Sequence, residues 1–224
     1  MTFISKERII EYIRRGQLFK DAQDEHGINE LIKDKNFSKS GASYELSLGE
    51  EVFVTPNKDP IKLRLGQTIN IEPGHFAVLT TDEYLVMPDD LLGFITVRFS
   101  YKKKGLVNIS GFHVDPGFEG KLLFSVYNAG PVTVSLRRGD KIFSLFLAII
   151  DPETHYDGDY SKMEKIPIDI VESLAGARVP SLQSLEDQVT RNWTTLKIYG
   201  AILTGLVLTV LGYIFRQFFF TSVS

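Results

Sequence analysis

Ile71-Glu-Pro-Gly-His-Phe-Ala-Val-Leu-Thr-Thr-Asp-Glu-Tyr-Leu-Val-Met-Pro-Asp-Asp-Leu-Leu-Gly93 holds the pattern that decides the fold. Two turn signals, Pro73-Gly74 and Pro88-Asp-Asp90, bracket it, and Phe76 to Thr80 between them reads as a short strand. The pattern repeats on both sides. Upstream lie Glu51-Val-Phe-Val54 and Ile61-Lys-Leu-Arg-Leu65; downstream lie Phe94 to Arg98, Leu122 to Tyr127, Val132 to Leu136 and Ile142 to Ile150. Gly49, Pro116-Gly117, Asn128-Ala-Gly-Pro131 and Arg138-Gly-Asp140 punctuate the series. Short strands with short turns predict a mainly β domain, a distorted barrel or jelly-roll-like sandwich. Ahead of them, residues 6–18 carry Ile9, Ile10, Tyr12 and Ile13 at helical spacing, and a helix is expected there, ending near Gly16. A shorter helical piece is expected around Ile28 to Ile32.

The composition looks ordinary: 224 residues, 43% hydrophobic, 24% charged, net charge −3. No cysteine is present, which removes disulfides, thiolate nucleophiles, cysteine zinc sites and iron–sulfur clusters. The four histidines, 26, 75, 113 and 155, show no metal-ligand spacing, so no metal and no cofactor are expected, Mg²⁺ arriving only with a phosphate ligand. A slightly acidic chain is not built wholly to cover nucleic acid, although a local basic patch is allowed.

The average hides a division. Lys197 and Arg216 are the only charges in the last 28 residues, and Ile198 to Phe215 has none over 18 residues. As a helix that stretch is about 27 Å long, close to the hydrocarbon thickness of a bilayer. Trp193, Tyr199 and Tyr213 suit an interfacial belt. The expected organisation is a β domain over 1–165, a connector with a short amphipathic helix over 166–196, a single transmembrane helix over 197–217 and a tail over 218–224. Ala201, Gly205, Thr209 and Gly212 form a small-residue stripe for helix packing or for lining a pore. Leu182, Leu185, Val189, Trp193 and Leu196 form a seam that either joins a helix bundle or rests on the body. The N-terminus reads as an amphipathic helix and not as a signal peptide, so the chain is expected to be single-pass in the cell inner membrane, its soluble domain cytoplasmic.

Four blocks carry a specific resemblance. The opening stretch, Ala42-Ser-Tyr-Glu-Leu-Ser-Leu-Gly49, His113-Val-Asp-Pro-Gly-Phe-Glu-Gly-Lys-Leu-Leu-Phe-Ser-Val-Tyr-Asn128 and the N-terminal helix from Ser5 to Leu18 resemble the dCTP deaminase branch of the trimeric dUTPase superfamily, in the same order. The resemblance spans about residues 1–165 and implies a homo-oligomer with nucleotide sites between subunits. It also implies a glutamate that activates the water attacking the cytosine ring; at its position this chain has Ser125, which cannot take a proton without a base beside it. The family's phosphate-binding stretch reads Arg98-Phe-Ser-Tyr-Lys-Lys-Lys-Gly105 here. Arg98, Ser100, Lys102, Lys103 and Lys104 are therefore the candidate phosphate ligands, lysine supplying point charges in place of a fork. By the same resemblance His113, Asp115 and Phe118 line the sugar and base pocket, while Tyr127 and Asn128 are structural.

Taken together, the lost glutamate and the uncharged span lead to three expectations. The chain is expected not to be an enzyme. It is expected to bind a nucleotide or short oligonucleotide and to control an oligomeric transmembrane pore, as in bacterial anti-phage effectors. Its partners would be copies of itself (a trimer or tetramer), the ligand, the bilayer and a signal-producing nucleotidyltransferase. The alternative is a membrane-tethered dCTP deaminase or dUTPase acting on pyrimidine deoxynucleotides.

Overall fold

Tyr44–Val54 (β3) is buried along almost its whole length, as a strand covered on both faces must be. It lies at the centre of the sheet, between Phe76–Val86 (β6) and Lys141–Ile149 (β12). The computed structural model describes residues 2–151, 153–158, 161–174 and 182–220. Outward from β6 come Glu119–Asn128 (β10) and Leu106–Asn108 (β8); outward from β12 come Leu91–Val97 (β7) and His113–Val114 (β9). Thr2–Phe3 (β1) pairs with β12, Leu18–Phe19 (β2) with β6 and Ile61–Lys62 (β4) with β3. All these pairings are antiparallel. Thr68–Ile71 (β5) and Val134–Arg137 (β11) form a separate two-stranded ribbon.

Alternation along β10 shows how the core is filled: Leu122, Phe124 and Val126 are buried, while Lys121, Leu123, Ser125 and Tyr127 are half-buried on the other face. In a flat sheet β10 and β12, three strand steps apart, would stand about 14 Å from each other. Yet the Phe124 and Phe143 rings stack with centroids 3.7 Å apart. The sheet is therefore curled into a half-barrel that closes on its own inner face. Register shifts between Leu48 and Val52, Lys121 and Leu123, and Lys141 and Phe143 supply the bends. At the first of these a β-carbon on Gly49 would lie 2.5 Å from the Thr81 carbonyl oxygen, so only glycine fits.

Lys6–Arg14 (α1) forms where the periodicity predicts it and buries Ile9, Tyr12 and Ile13. Asp24 caps Glu25–Leu31 (α2), accepting from the Gly27 N–H at 2.6 Å. Phe99–Lys102 (α3) is a single turn after β7. The predicted strands fall on observed ones, with four differences at their ends: Ile61 to Leu65 pairs only over its first two residues, Val132 to Leu136 begins at Val134, and the strands expected to end at Arg98 and Ile150 stop one residue earlier. β1, β2, β5, β8 and β9 were not predicted: they are short, and around β8 and β9 the apolar Val107, Ile109 and Phe112 are exposed, so no alternation marks them.

Past β12, the chain returns to the sheet. Lys162 N–H donates to the Glu119 carbonyl and Lys121 N–H to the Met163 carbonyl, at 2.5 and 2.7 Å. Ile168–Leu174 (α4) then packs on the outer face, where Ile166 and Val171 bury Phe53 and Val78 and where Leu123, Ile170 and Leu174 close the edge. The boundary expected at 165 thus falls inside a packed segment. Residues 1–179 form one compact unit and 180–224 a second.

In the second unit, Leu182–Phe220 (α5) is one unbroken helix of 39 residues, about 58 Å long, where a connector helix and a separate span were expected. Gln188–Arg216 is long and apolar enough to cross a membrane. Thr204 and Thr209 donate their hydroxyls to the carbonyls of Gly200 and Gly205, both at 2.8 Å, which satisfies these groups within the helix itself. At 100° per residue the stripe of Ala201, Gly205, Thr209 and Gly212 lies roughly 160° around the helix from Leu185, Val189, Trp193 and Leu196. The two faces cannot both face the axis of one bundle. Residues 175–181 and 221–224, which hold part of the expected connector and tail, lie outside the described residues.

Candidate functional site

The basic loop follows β7 directly. Arg98, the residue before α3, does not reach freely into solvent: its Nε lies 2.9 Å from Glu45 Oε2, and its Nη1 donates to the Lys141 carbonyl at 3.0 Å. Glu45 is buried and also accepts from Ser43 Oγ at 2.8 Å and from Ser144 Oγ at 3.1 Å. A buried carboxylate holding this many donors fixes the guanidinium beside it. Lys102 Nζ donates to Thr96 Oγ1 at 2.6 Å, and Lys104 Nζ stands 5.5 Å from the Tyr101 ring centre. Lys103 and Ser100 are exposed, and their side chains have no hydrogen-bond partner among the described residues. Phe99, in place of the family's serine, is 77% exposed. Of the five candidate phosphate ligands, four are presented outward and Arg98 is shared with Glu45.

The Asp115 turn is built by β9, which pairs His113 with Phe94 and Val114 with Gly93. Phe118 N–H donates back to the Asp115 carbonyl at 3.2 Å, and the turn is tied to Met87 by two further backbone bonds. His113 Nε2 stands 3.6 Å from Asp115 Oδ1, too far for a hydrogen bond. Gly117 has φ +74°, and a β-carbon there would lie 2.3 Å from His155 Nδ1. Phe118 is buried, with its ring 6.1 Å from that of Tyr156. The turn faces residues 154–158. Asp115, Pro116, Thr154, His155, Tyr156, Asp157 and Gly158 enclose a cleft of about 350 Å³. Inside this region His155 Nδ1 is 2.7 Å from Asp89 Oδ1.

Ser125 sits between these two parts, opposite Val78 on β6. Its carbonyl accepts from the N–H groups of Ile109 and Ser110, and its hydroxyl has no hydrogen-bond partner among the described residues. Glu119, the nearest acid in sequence, stands six residues back along β10, about 20 Å at strand rise, and receives the Tyr84 hydroxyl at 3.2 Å. The Asp115 turn precedes the start of β10, whereas the basic loop meets its end, where Ala129 N–H donates to the Gly105 carbonyl at 2.9 Å. One copy therefore does not gather loop, serine and aspartate into a single pocket. Asn128 behaves as expected: its side-chain amide donates to the Ile71 and Val132 carbonyls, at 2.9 and 2.8 Å, and pins the turn after β10.

Three side chains of the site were missed from sequence. Glu45 lies inside a motif block but reads as a strand residue, and Asp89 reads as a turn residue. His155 carries no motif, and only its distance from Asp89 draws attention to it.

Comparison with known proteins bears on this geometry. Residues 3–150 match the dCTP deaminase-like family. A dCTP deaminase of Pyrobaculum aerophilum is 34% identical over 148 residues, which cover 64% of this chain and 79% of the relative. A dCTP deaminase, dUMP-forming, of Hydrogenobaculum sp. is 30% identical over 151 residues, 66% of this chain and 82% of the relative. The crystal structure of 2'-deoxycytidine 5'-triphosphate deaminase from Agrobacterium tumefaciens shares the fold, with a TM-score of 0.53 and 14% identity over 66% of this chain and 49% of that one. These relatives overturn one expectation. A family whose members are named for a reaction points to an enzyme, and the reading of the chain as a non-enzyme is withdrawn. By the match over residues 3–150, the chain belongs to the dCTP deaminase-like family.

Proposed function

We propose that this chain is a pyrimidine-deoxynucleotide hydrolase of the dCTP deaminase or dUTPase type, held at a membrane by α5. The observation that carries this reading is the Asp115 turn. It folds as a rigid, doubly tied element at the mouth of a cleft, inside a body built from the family's motif blocks in order. Lys102, Lys103 and Lys104 supply the positive field a triphosphate needs. Because loop and cleft sit toward opposite ends of β10, the reading requires at least two copies, the loop of one meeting the cleft of another. The test is direct. Detergent-solubilised full-length chain is expected to release ammonia from dCTP or pyrophosphate from dUTP, and release of neither refutes the proposal.

A second reading rests on α5 alone. An exposed helix of this length and apolarity suits assembly in a bilayer, and a nucleotide bound by the body would then control a pore if it favoured one packing of the helices over another. This predicts nucleotide-dependent leakage from vesicles carrying the full chain, and none after deletion of residues 197–224. Leakage that persists after the deletion refutes the pore.

A further inference from the structure

Hydrolytic attack on a nucleotide needs a group that takes a proton from water, and Ser125 has no carboxylate beside it for that task. We propose that His155, held in place by Asp89, is the proton acceptor of the Asp115 cleft; this rests on the deaminase reading above. The geometry is that of an oriented base. With Nδ1 at 2.7 Å from Asp89 Oδ1, the neutral ring donates its Nδ1–H to the carboxylate and keeps its lone pair on Nε2. Nε2 has no hydrogen-bond partner among the described residues, and the ring lines the same cleft as Asp115.

Both members of the pair are fixed by the backbone. Thr154 N–H donates to the Asp89 carbonyl at 3.1 Å, and Tyr156 N–H donates to the Pro116 carbonyl at 2.8 Å. These bonds flank His155 and hold it against the turn. The absence of a side chain at Gly117 leaves the room the ring occupies. His113 is the other imidazole nearby, but it faces Asp115 at 3.6 Å without a hydrogen bond to orient it. Asp115 and Asp157 line the same cleft as His155, and Asp89 accepts its Nδ1–H.

For dCTP the step balances as follows. The water oxygen bonds to C4 of the cytosine while one water proton passes to His155 Nε2 and the C4=N3 electron pair moves onto N3. His155 returns that proton to N3. The second water proton moves from the new hydroxyl to the amino group, the C4–N bond breaks, and ammonia leaves behind the C4 carbonyl. His155 is regenerated neutral. Here His155 is the catalytic residue and Asp89 a positioning residue.

The test measures ammonia release by the full chain in detergent from about pH 5 to about pH 9, with His155→Gln, Asp89→Asn and Asp89→Glu beside the unmodified protein. The unmodified chain is expected to lose kcat on the acidic side, because a base that already carries a proton cannot accept another. His155→Gln is expected to cut kcat about 100-fold or more with little change in KM, to erase that limb and to leave the melting temperature unchanged. Asp89→Asn is expected to lower kcat less than His155→Gln does, because the ring loses the carboxylate that orients it, and Asp89→Glu is expected to restore part of that loss. His155→Gln within about threefold of the unmodified chain, with the same limb, overturns the inference while leaving the deaminase reading intact. If the unmodified chain releases no ammonia from dCTP, the deaminase reading falls and the inference falls with it.

Discussion

Glu45→Gln is the substitution that most sharply separates the two jobs Arg98 has been given. The carboxylate accepts from Ser43, Ser144 and Arg98, and glutamine keeps the shape and an acceptor oxygen but removes the charge that holds the guanidinium. At 2.9 Å and an effective dielectric of about 20, the gross attraction is about 6 kcal/mol. Arg98 is 41% exposed, so water screens its half of the pair, and a net loss of about 2 kcal/mol is expected. For a chain of this size that lowers Tm by about 4–8 °C, read by the circular dichroism of the β body. The freed guanidinium is then available to an anion. Titration with tripolyphosphate at low salt is expected to show about tenfold tighter binding, an advantage that shrinks as ionic strength rises. A variant that melts normally would refute the energetic assignment of the pair. One that melts low yet binds tripolyphosphate no better would show that Arg98 does not belong to the phosphate site.

Gly117→Ala is expected to cost about 2 kcal/mol, from a left-handed backbone, and to lower activity by displacing His155 off Asp89; unchanged melting on thermal denaturation would contradict the first, and unchanged activity the second. The Tyr12 hydroxyl is pushed up to about 12 by burial and then by Asp90, to which it donates at 2.6 Å. Unfolded chain releases that proton near pH 10, so stability complete below pH 10 is lost as pH rises toward 12, by about 3 kcal/mol. Tyr12→Phe is expected to be slightly less stable at neutral pH and to flatten that alkaline decline in a pH series of melts. Phe124→Ala removes one of two stacked rings from the inner face and is expected to destabilise by about 3–5 kcal/mol, measured by the same melts.

The β architecture was legible because most strands alternate cleanly and their turns carry proline and glycine, as Leu122 to Tyr127 and Pro116-Gly117 illustrate. The short edge strands were not, since Val107, Ile109 and Phe112 face outward and break the alternation. Site residues inside motif blocks were found at once, but their roles were not. Nothing local to Arg98 announces that Glu45, more than fifty positions earlier, occupies its guanidinium; that contact exists only because β3, β12 and β7 lie side by side. The contact of Phe118 with Tyr156, from beyond β12, was equally unreadable from the motif block alone. His155 stayed invisible because a lone histidine acquires meaning only through a distant carboxylate. In α5 the apolar run was plain, and the seam from Leu182 to Leu196 continues into it as one helix because neither Arg191 nor Lys197 interrupts helical propensity.

The helix α4 changes where this protein can be cut. The family match stops at residue 150, yet Phe53 and Val78 on the outer face are covered by Ile166 and Val171. A chain ending at 150 bares those two large side chains at about 2 kcal/mol each, a sizeable part of the stability of any domain. A chain ending at Leu174 keeps the cover and sheds the whole of α5. The heritable module and the folding module are thus different lengths. What reads as a spacer between the β body and α5 behaves, mechanically, as the last layer of the body.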